Sequence, residues 1–172
     1  MFIFAHVGFT LLLFLVIKKY YQVGWIDTRL VIIGSMLPDI LDKSFGYLTP
    51  VAGRSLFHGF IPLFLLLSVI LLKSYGIFLS LFLSSLFHLV LDKMFLYPKI
   101  LFWPVFGFEI NLGVVDVNNY WHILFNSKYV QVTEIMGFII LTMFVVNYGL
   151  YRKENLLEFL KENNLKSGLF IG

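Results

Sequence analysis

Long apolar runs fill this chain, and polar residues gather in the gaps between them. Five runs can be marked, at about residues 1–17, 23–41, 55–72, 75–91 and 130–150. Lys18-Lys19 stops the first, Asp27 and Arg29 interrupt the start of the second, Lys73 ends the third and Arg152-Lys153 closes the fifth. Each is near the ~20 residues a helix needs to cross a bilayer; the first, second and fourth are at the short end, which tilt or local thinning accommodates. The pattern predicts an all-α protein, a polytopic membrane helical bundle of about five transmembrane helices.

Residues 98–129, between the fourth and fifth runs, are too many for a tight connection and carry Phe102, Trp103, Phe106, Phe108, Tyr120, Trp121, Phe125 and Tyr129. Amphipathic rings favour the membrane interface, so a re-entrant or interfacial segment is expected there, with a lid as one use for it. Residues 152–166 read as an amphipathic helix lying on the surface, with Leu156, Leu157, Phe159 and Leu160 against lipid. The expected organisation is one transmembrane domain over residues 1–151, holding the metal site argued below, and an amphipathic C-terminal tail over 152–172.

Composition supports that class. Hydrophobic residues make up 59% and charged ones 13%, against roughly 45–50% and 25% in soluble domains. The 172 residues suit one domain and contain no linker-like stretch, repeat or low-complexity tract. The first run has no basic region before it and no small-x-small cleavage site after it, so it reads as a retained span rather than a signal peptide. Without cysteine there is no disulfide or thiolate site, and any metal must sit on nitrogen and oxygen ligands.

The net charge of +3 does not point to nucleic acid, because the basic residues are scattered along the run ends rather than clustered. They report topology instead. With the N-terminus outside, the inside set is Lys18, Lys19, Arg29, Lys73, Arg152, Lys153, Lys161 and Lys166; the outside set is Lys43, Arg54, Lys93, Lys99 and Lys128. Eight against five favours a multi-pass cell-membrane protein with a cytoplasmic C-terminus.

Six ionisable residues change the picture. In an up-down arrangement His6, Asp39, Asp42, His58, His88 and Asp92 all fall at run ends on one side of the membrane. Such groups are costly in lipid, roughly 2.5–3.5 kcal/mol each at the centre of a span on insertion scales, and mark function by default. Glu109, Asp116 and Glu134 fall on the same face. His88 and Asp92, four apart on a helix, stack on one side and can share an ion. Asp39 and Asp42 are similarly neighbouring, and Pro38 should bend or end its helix there. Arg54, four residues before His58, can aim its guanidinium at a phosphate or carboxylate.

Each residue alone has a plainer reading. His6 suits an interfacial histidine, Asp39 and Asp42 a helix end with Lys43, and His88 with Asp92 a helix-stabilising pair; Asp92 could also meet Lys93 or Lys128. Taken together, three histidines and three aspartates on one face point to a shared polar site. His122, in the aromatic connection, reads as a surface histidine.

The segments His6-Val7-Gly8, Gly34-Ser35-Met36-Leu37-Pro38-Asp39-Ile40-Leu41-Asp42, Arg54-Ser55-Leu56-Phe57-His58-Gly59, Ser85-Leu86-Phe87-His88-Leu89-Val90-Leu91-Asp92 and Phe102-Trp103-Pro104 together resemble the membrane-bound, metal-dependent hydrolases of the YdjM type. The resemblance covers about the first 105 residues. Gly59 departs from it, standing where the family usually has Ser. The order His, Asp, His, His-x-x-x-Asp is also similar to that of zinc-dependent phospholipase C and nuclease enzymes. That likeness implies an ion on Asp39, His58, His88 and Asp92, with Asp92 and His6 beginning a second.

The chemistry expected is metal-assisted hydrolysis, of a phosphoester or lipid-headgroup substrate, at Zn²⁺ with Mn²⁺ or Fe²⁺ as alternatives. The ligands would be His6, Asp39, His58, His88 and Asp92. Arg54 would steady an anionic substrate, and Asp42 would act as general base or as the partner fixing a histidine tautomer. Membrane lipid is the expected partner, with a small-molecule or lipid substrate and no nucleic acid; some members of the resembled family are described as binding a transcriptional repressor, which leaves room for a protein partner.

Two rival readings remain. A phospho-histidine phosphatase shares His-x-x-x-Asp, but the arginine and lysine motifs that should accompany it are missing. A non-enzymatic metal-binding scaffold or ion or proton pathway is the stronger alternative. It should need polar positions through the whole membrane depth, whereas Leu65-Leu66-Leu67 and residues 79–83 are almost purely apolar.

Overall fold

The computed structural model describes residues 2–48, 56–73, 78–107 and 117–163. Among these, eight α-helices and no strand are found. Two are long and apolar enough to cross a membrane: α1, Ile3–Tyr21, and α7, Lys128–Asn147. Their outward faces carry exposed Leu12, Leu13, Ile135, Phe138, Ile139 and Met143, as helices facing lipid must.

The other elements complete a bundle without being evident spans. Helix α2, Thr28–Leu48, has charged residues at both ends. Helices α3, Phe60–Lys73, and α4, Leu79–Leu91, have 14 and 13 residues, about 20 Å at ~1.5 Å per residue, short of a ~30 Å hydrocarbon core. The predicted run 55–72 is divided: a 3₁₀ turn, Leu56–His58, precedes α3, with Gly59 between them. After α4 come a 3₁₀ turn, Met94–Leu96, and the short α5, Pro98–Leu101; α6, Val117–Asn126, then leads into α7. Helix α6 carries exposed Trp121 and Phe125.

Small residues set the two closest helix contacts. A Cβ on Gly34 of α2 would stand 2.0 Å from Ser84 Oγ of α4. One on Gly137 of α7 would stand 2.2 Å from the Phe4 carbonyl oxygen of α1. Backbones approach this closely in membrane bundles because lipid gives no hydrophobic drive, so van der Waals packing between small residues has to hold the helices. Ser80 and Ser84 of α4 are fully buried at the α2 contact, and each donates to backbone carbonyls, Trp25 at 3.1 Å and Ser80 at 2.7 Å. They close the interface rather than opening a polar path through it.

Helix α8, Lys153–Glu162, is tied to the far end of the bundle. The Arg29 guanidinium pairs with Asp27 and donates to the Leu160 and Lys161 carbonyls at 2.7 and 3.0 Å. Asn163 accepts from Thr28 N–H at 3.0 Å. Phe159 does not face lipid as its place in the amphipathic pattern suggested. It turns inward against Leu11, Phe144 and Leu150, because the bundle offers it an apolar seat that the sequence pattern cannot show.

Candidate metal centre

Helix α2 runs through Pro38 instead of ending there. Proline has no N–H for the Gly34 carbonyl, and its ring crowds that turn. Helix α4 takes up the slack: Ser85 Oγ donates to Gly34 O at 3.0 Å, and His88 Nδ1 donates to Ser35 O at 2.7 Å. A carbonyl can only accept, so neutral His88 carries its proton on Nδ1 and turns the bare Nε2 lone pair inward.

His58 is held in the same tautomer by a side chain. Asp42 accepts from His58 Nδ1 at 2.5 Å through one carboxylate oxygen and from Phe57 N–H at 2.9 Å through the other. Asp42 and the three residues His6, His58 and His88 are 0% exposed. Asp39 and Asp92 are 8% and 6% exposed, beside Lys43 Nζ, which lies 2.8 Å from Asp39 Oδ2.

Four donor atoms therefore meet at one point. His58 Nε2 lies 3.4 Å from His88 Nε2, 3.4 Å from Asp39 Oδ1 and 3.7 Å from Asp92 Oδ2, and His88 Nε2 lies 3.9 Å from Asp39 Oδ1. One ligand atom from each of Asp39, His58, His88 and Asp92 fits within 4.8 Å of all the others. Ligands 2.0–2.2 Å from a tetrahedral ion stand about 3.3–3.6 Å apart, so the two 3.4 Å separations match the edges of such a shell. Two imidazole lone pairs and two carboxylates aimed at each other repel unless a proton or a metal ion sits among them. The donor set fits a divalent metal of the Zn²⁺, Mn²⁺ or Fe²⁺ type.

His6 adjoins this group without belonging to it. Its ring stacks on His88 at 4.1 Å and 23°, and its Nε2 lies 3.0 Å from Asp92 Oδ1. That contact lacks hydrogen-bond geometry, and among the described residues neither ring nitrogen of His6 has a hydrogen-bond partner. A fully buried imidazole left in this state fits a ligand position, since burying polar atoms without partners is otherwise costly. Asp92 thus offers one oxygen toward His58 and the other toward His6.

The remaining expectations divide. Arg54, Glu109 and Asp116 lie outside the described residues. His122 is exposed on α6 and is not in the group of four. Glu134 is buried on α7 and bonds to the start of α1, a role that nothing in the spacing announced. A sequence signal did exist: α1 begins at Phe2 with no capping side chain, so its first N–H groups needed a distant acceptor.

No curated protein and no solved structure is similar enough to the chain to count as a match. A family comparison does match, over residues 1–156, and it takes in every element from α1 to α7 and all of the clustered histidines and aspartates. By that match the chain belongs to the family described as YdjM inner membrane protein.

Proposed function

We propose that this protein is a membrane-bound metal-dependent hydrolase acting on a phosphoester or lipid-headgroup substrate, with the bundle passing the membrane about five times and its C-terminus in the cytoplasm. One observation supports the reading above the rest: two histidines with their tautomers fixed from behind turn bare Nε2 atoms toward two carboxylates, 3.4–3.9 Å apart. Asp39, His58, His88 and Asp92 hold an ion, which we assign to zinc, and His6 extends the site from Asp92. A divalent ion bound there supplies a water acidified toward neutral pH and a Lewis acid for the substrate oxygen.

The chain's own groups do the rest. Both oxygens of Asp42 are occupied by His58 and Phe57. It therefore serves as the carboxylate that holds His58 in the ligating tautomer, as carboxylates behind ligating histidines do at metal sites. Lys43 holds Asp39 Oδ2, so that Oδ1 is the oxygen offered to the site. Arg54, four residues before His58, is assigned to the anionic substrate.

A second reading has one observation behind it. His58 lies between Asp42 and Asp39, at 2.5 and 3.4 Å, an arrangement that also suits a proton relay or a metal-free scaffold. Metal content separates the two. Detergent-purified protein is analysed by plasma mass spectrometry beside Asp92→Ala and His58→Ala. Near-stoichiometric Zn, Mn or Fe in the parent, lost in both variants, supports the metal centre and opens hydrolysis assays on phosphoester lipids. Protein that stays metal-free after loading sinks the hydrolase reading in favour of the relay.

A further inference from the structure

We propose that Glu134 is the positioning residue for His6, acting across the α1–α7 contact; the proposal rests on His6 extending the site from Asp92, as proposed above. Helix α1 has Phe2 at its N-cap and no side-chain cap of its own. Glu134 supplies it from α7: one carboxylate oxygen accepts from Phe2 N–H at 3.0 Å and Ala5 N–H at 3.1 Å, the other from Phe4 N–H at 3.0 Å. These are groups a helix start leaves without internal partners, and the helix dipole favours a negative charge there. The next N–H, that of His6, makes a bond to Phe2 O at 3.1 Å. His6 therefore stands directly above the capped turn.

A local cap would satisfy the same N–H groups but would not fix where α1 lies along α7. Glu134 does both, and the glycines prevent slippage. A Cβ on Gly137 would stand 2.2 Å from Phe4 O, and one on Gly8 would stand 2.6 Å from Gly137 O. The backbone is thus in contact with α7 on both sides of His6. The His6 ring has no hydrogen bond of its own among the described residues. Its stacking on His88 and its approach to Asp92 are consequently set by the backbone that carries it, and that backbone is anchored by Glu134.

The test is side-chain NMR on the full-length protein in detergent, labelled with ¹⁵N-histidine, with His6 assigned through His6→Gln. Glu134→Gln keeps the shape but offers one acceptor oxygen and a donor in place of the second. It is expected to move the His6 ring resonances while leaving His122 in place, and to weaken zinc binding several-fold. Glu134→Asp, which keeps the charge one methylene short, should also move His6 and serves if the amide variant does not fold. Thr133→Ala is the control for a merely structural role. Among the described residues its neighbouring side chain bonds within α7, to the Tyr129 and Val130 carbonyls, so His6 should stay put even if the unfolding midpoint falls. His6 unmoved in both Glu134 variants, or His122 moved equally, overturns the proposal. His6 moved in a parent protein that binds no metal leaves the positioning intact and removes the hydrolase reading instead.

Discussion

Replacing Asp42 by Asn tests the logic of the site most directly. Asp42 is 0% exposed and accepts from two donors, His58 Nδ1 at 2.5 Å and Phe57 N–H at 2.9 Å. An asparagine has one accepting oxygen. If that oxygen stays with Phe57, the amide N–H faces His58 Nδ1, the proton of His58 moves to Nε2, and an N–H points at the place an ion should occupy. If it turns to His58 instead, Phe57 N–H loses its partner at a cost of about 1–3 kcal/mol. The expected loss of metal affinity is about 10–100-fold, or ~1.4–2.7 kcal/mol. Competition with a chelating dye would measure it in Asp42→Asn, His58→Ala and the double variant. Because Asp42 acts through His58, the double variant should bind no worse than His58→Ala alone. Affinity within about threefold of the parent, or a further tenfold loss in the double variant, would refute the reasoning. Unchanged affinity with abolished turnover would return Asp42 to the role of general base.

Three more perturbations have definite expected outcomes. Removing the ion with a chelator should lower the unfolding midpoint, since a ligand at 100 times its Kd contributes ~2.7 kcal/mol and each kcal/mol moves a chain of this size by about 2–4 °C; no shift in a scanning assay counts against a bound metal. Gly137→Ala forces a methyl to 2.2 Å from the Phe4 carbonyl and should cost ~1–3 kcal/mol or more in thermal unfolding, whereas Gly24→Ala, with nothing within 4 Å, should be nearly silent. Arg29→Ala releases the Leu160 and Lys161 carbonyls and should speed tryptic cleavage at Lys153 and Lys161 several-fold without altering metal content; equal cleavage rates would show that Arg29 does not hold α8 in place.

Much of the site was legible because it is written in local spacing. His88 and Asp92, one turn apart, do face the same point, and Asp39 joins them from α2. Hydropathy likewise disclosed an all-helical membrane chain, and α1 and α7 are long enough to cross. What local patterns could not disclose are contacts between distant backbones. The Glu134 bonds to α1 span 129 to 132 residues, and the seat of Phe159 exists only once α1 and α7 have met. The number of crossings is also weakly encoded, because a hydropathy window counts runs such as those of α3 and α4, whose helices have 14 and 13 residues against the ~20 of a straight span. Pro38, expected to bend or end its helix, does not end it: the Gly34 carbonyl it leaves without an N–H takes Ser85 of α4, and the neighbouring Ser35 carbonyl takes His88.

Those carbonyls also set the charge of the interior. Had His88 been oriented as His58 is, by a carboxylate behind its Nδ1, the centre would hold four buried aspartate or glutamate side chains in place of Asp39, Asp42 and Asp92. Each added buried anion costs several kcal/mol in desolvation and raises repulsion among its neighbours. Here the Ser35 carbonyl lets the main chain do a carboxylate's work with a neutral dipole. The same ligand set is thereby assembled with one unit less negative charge inside the bundle.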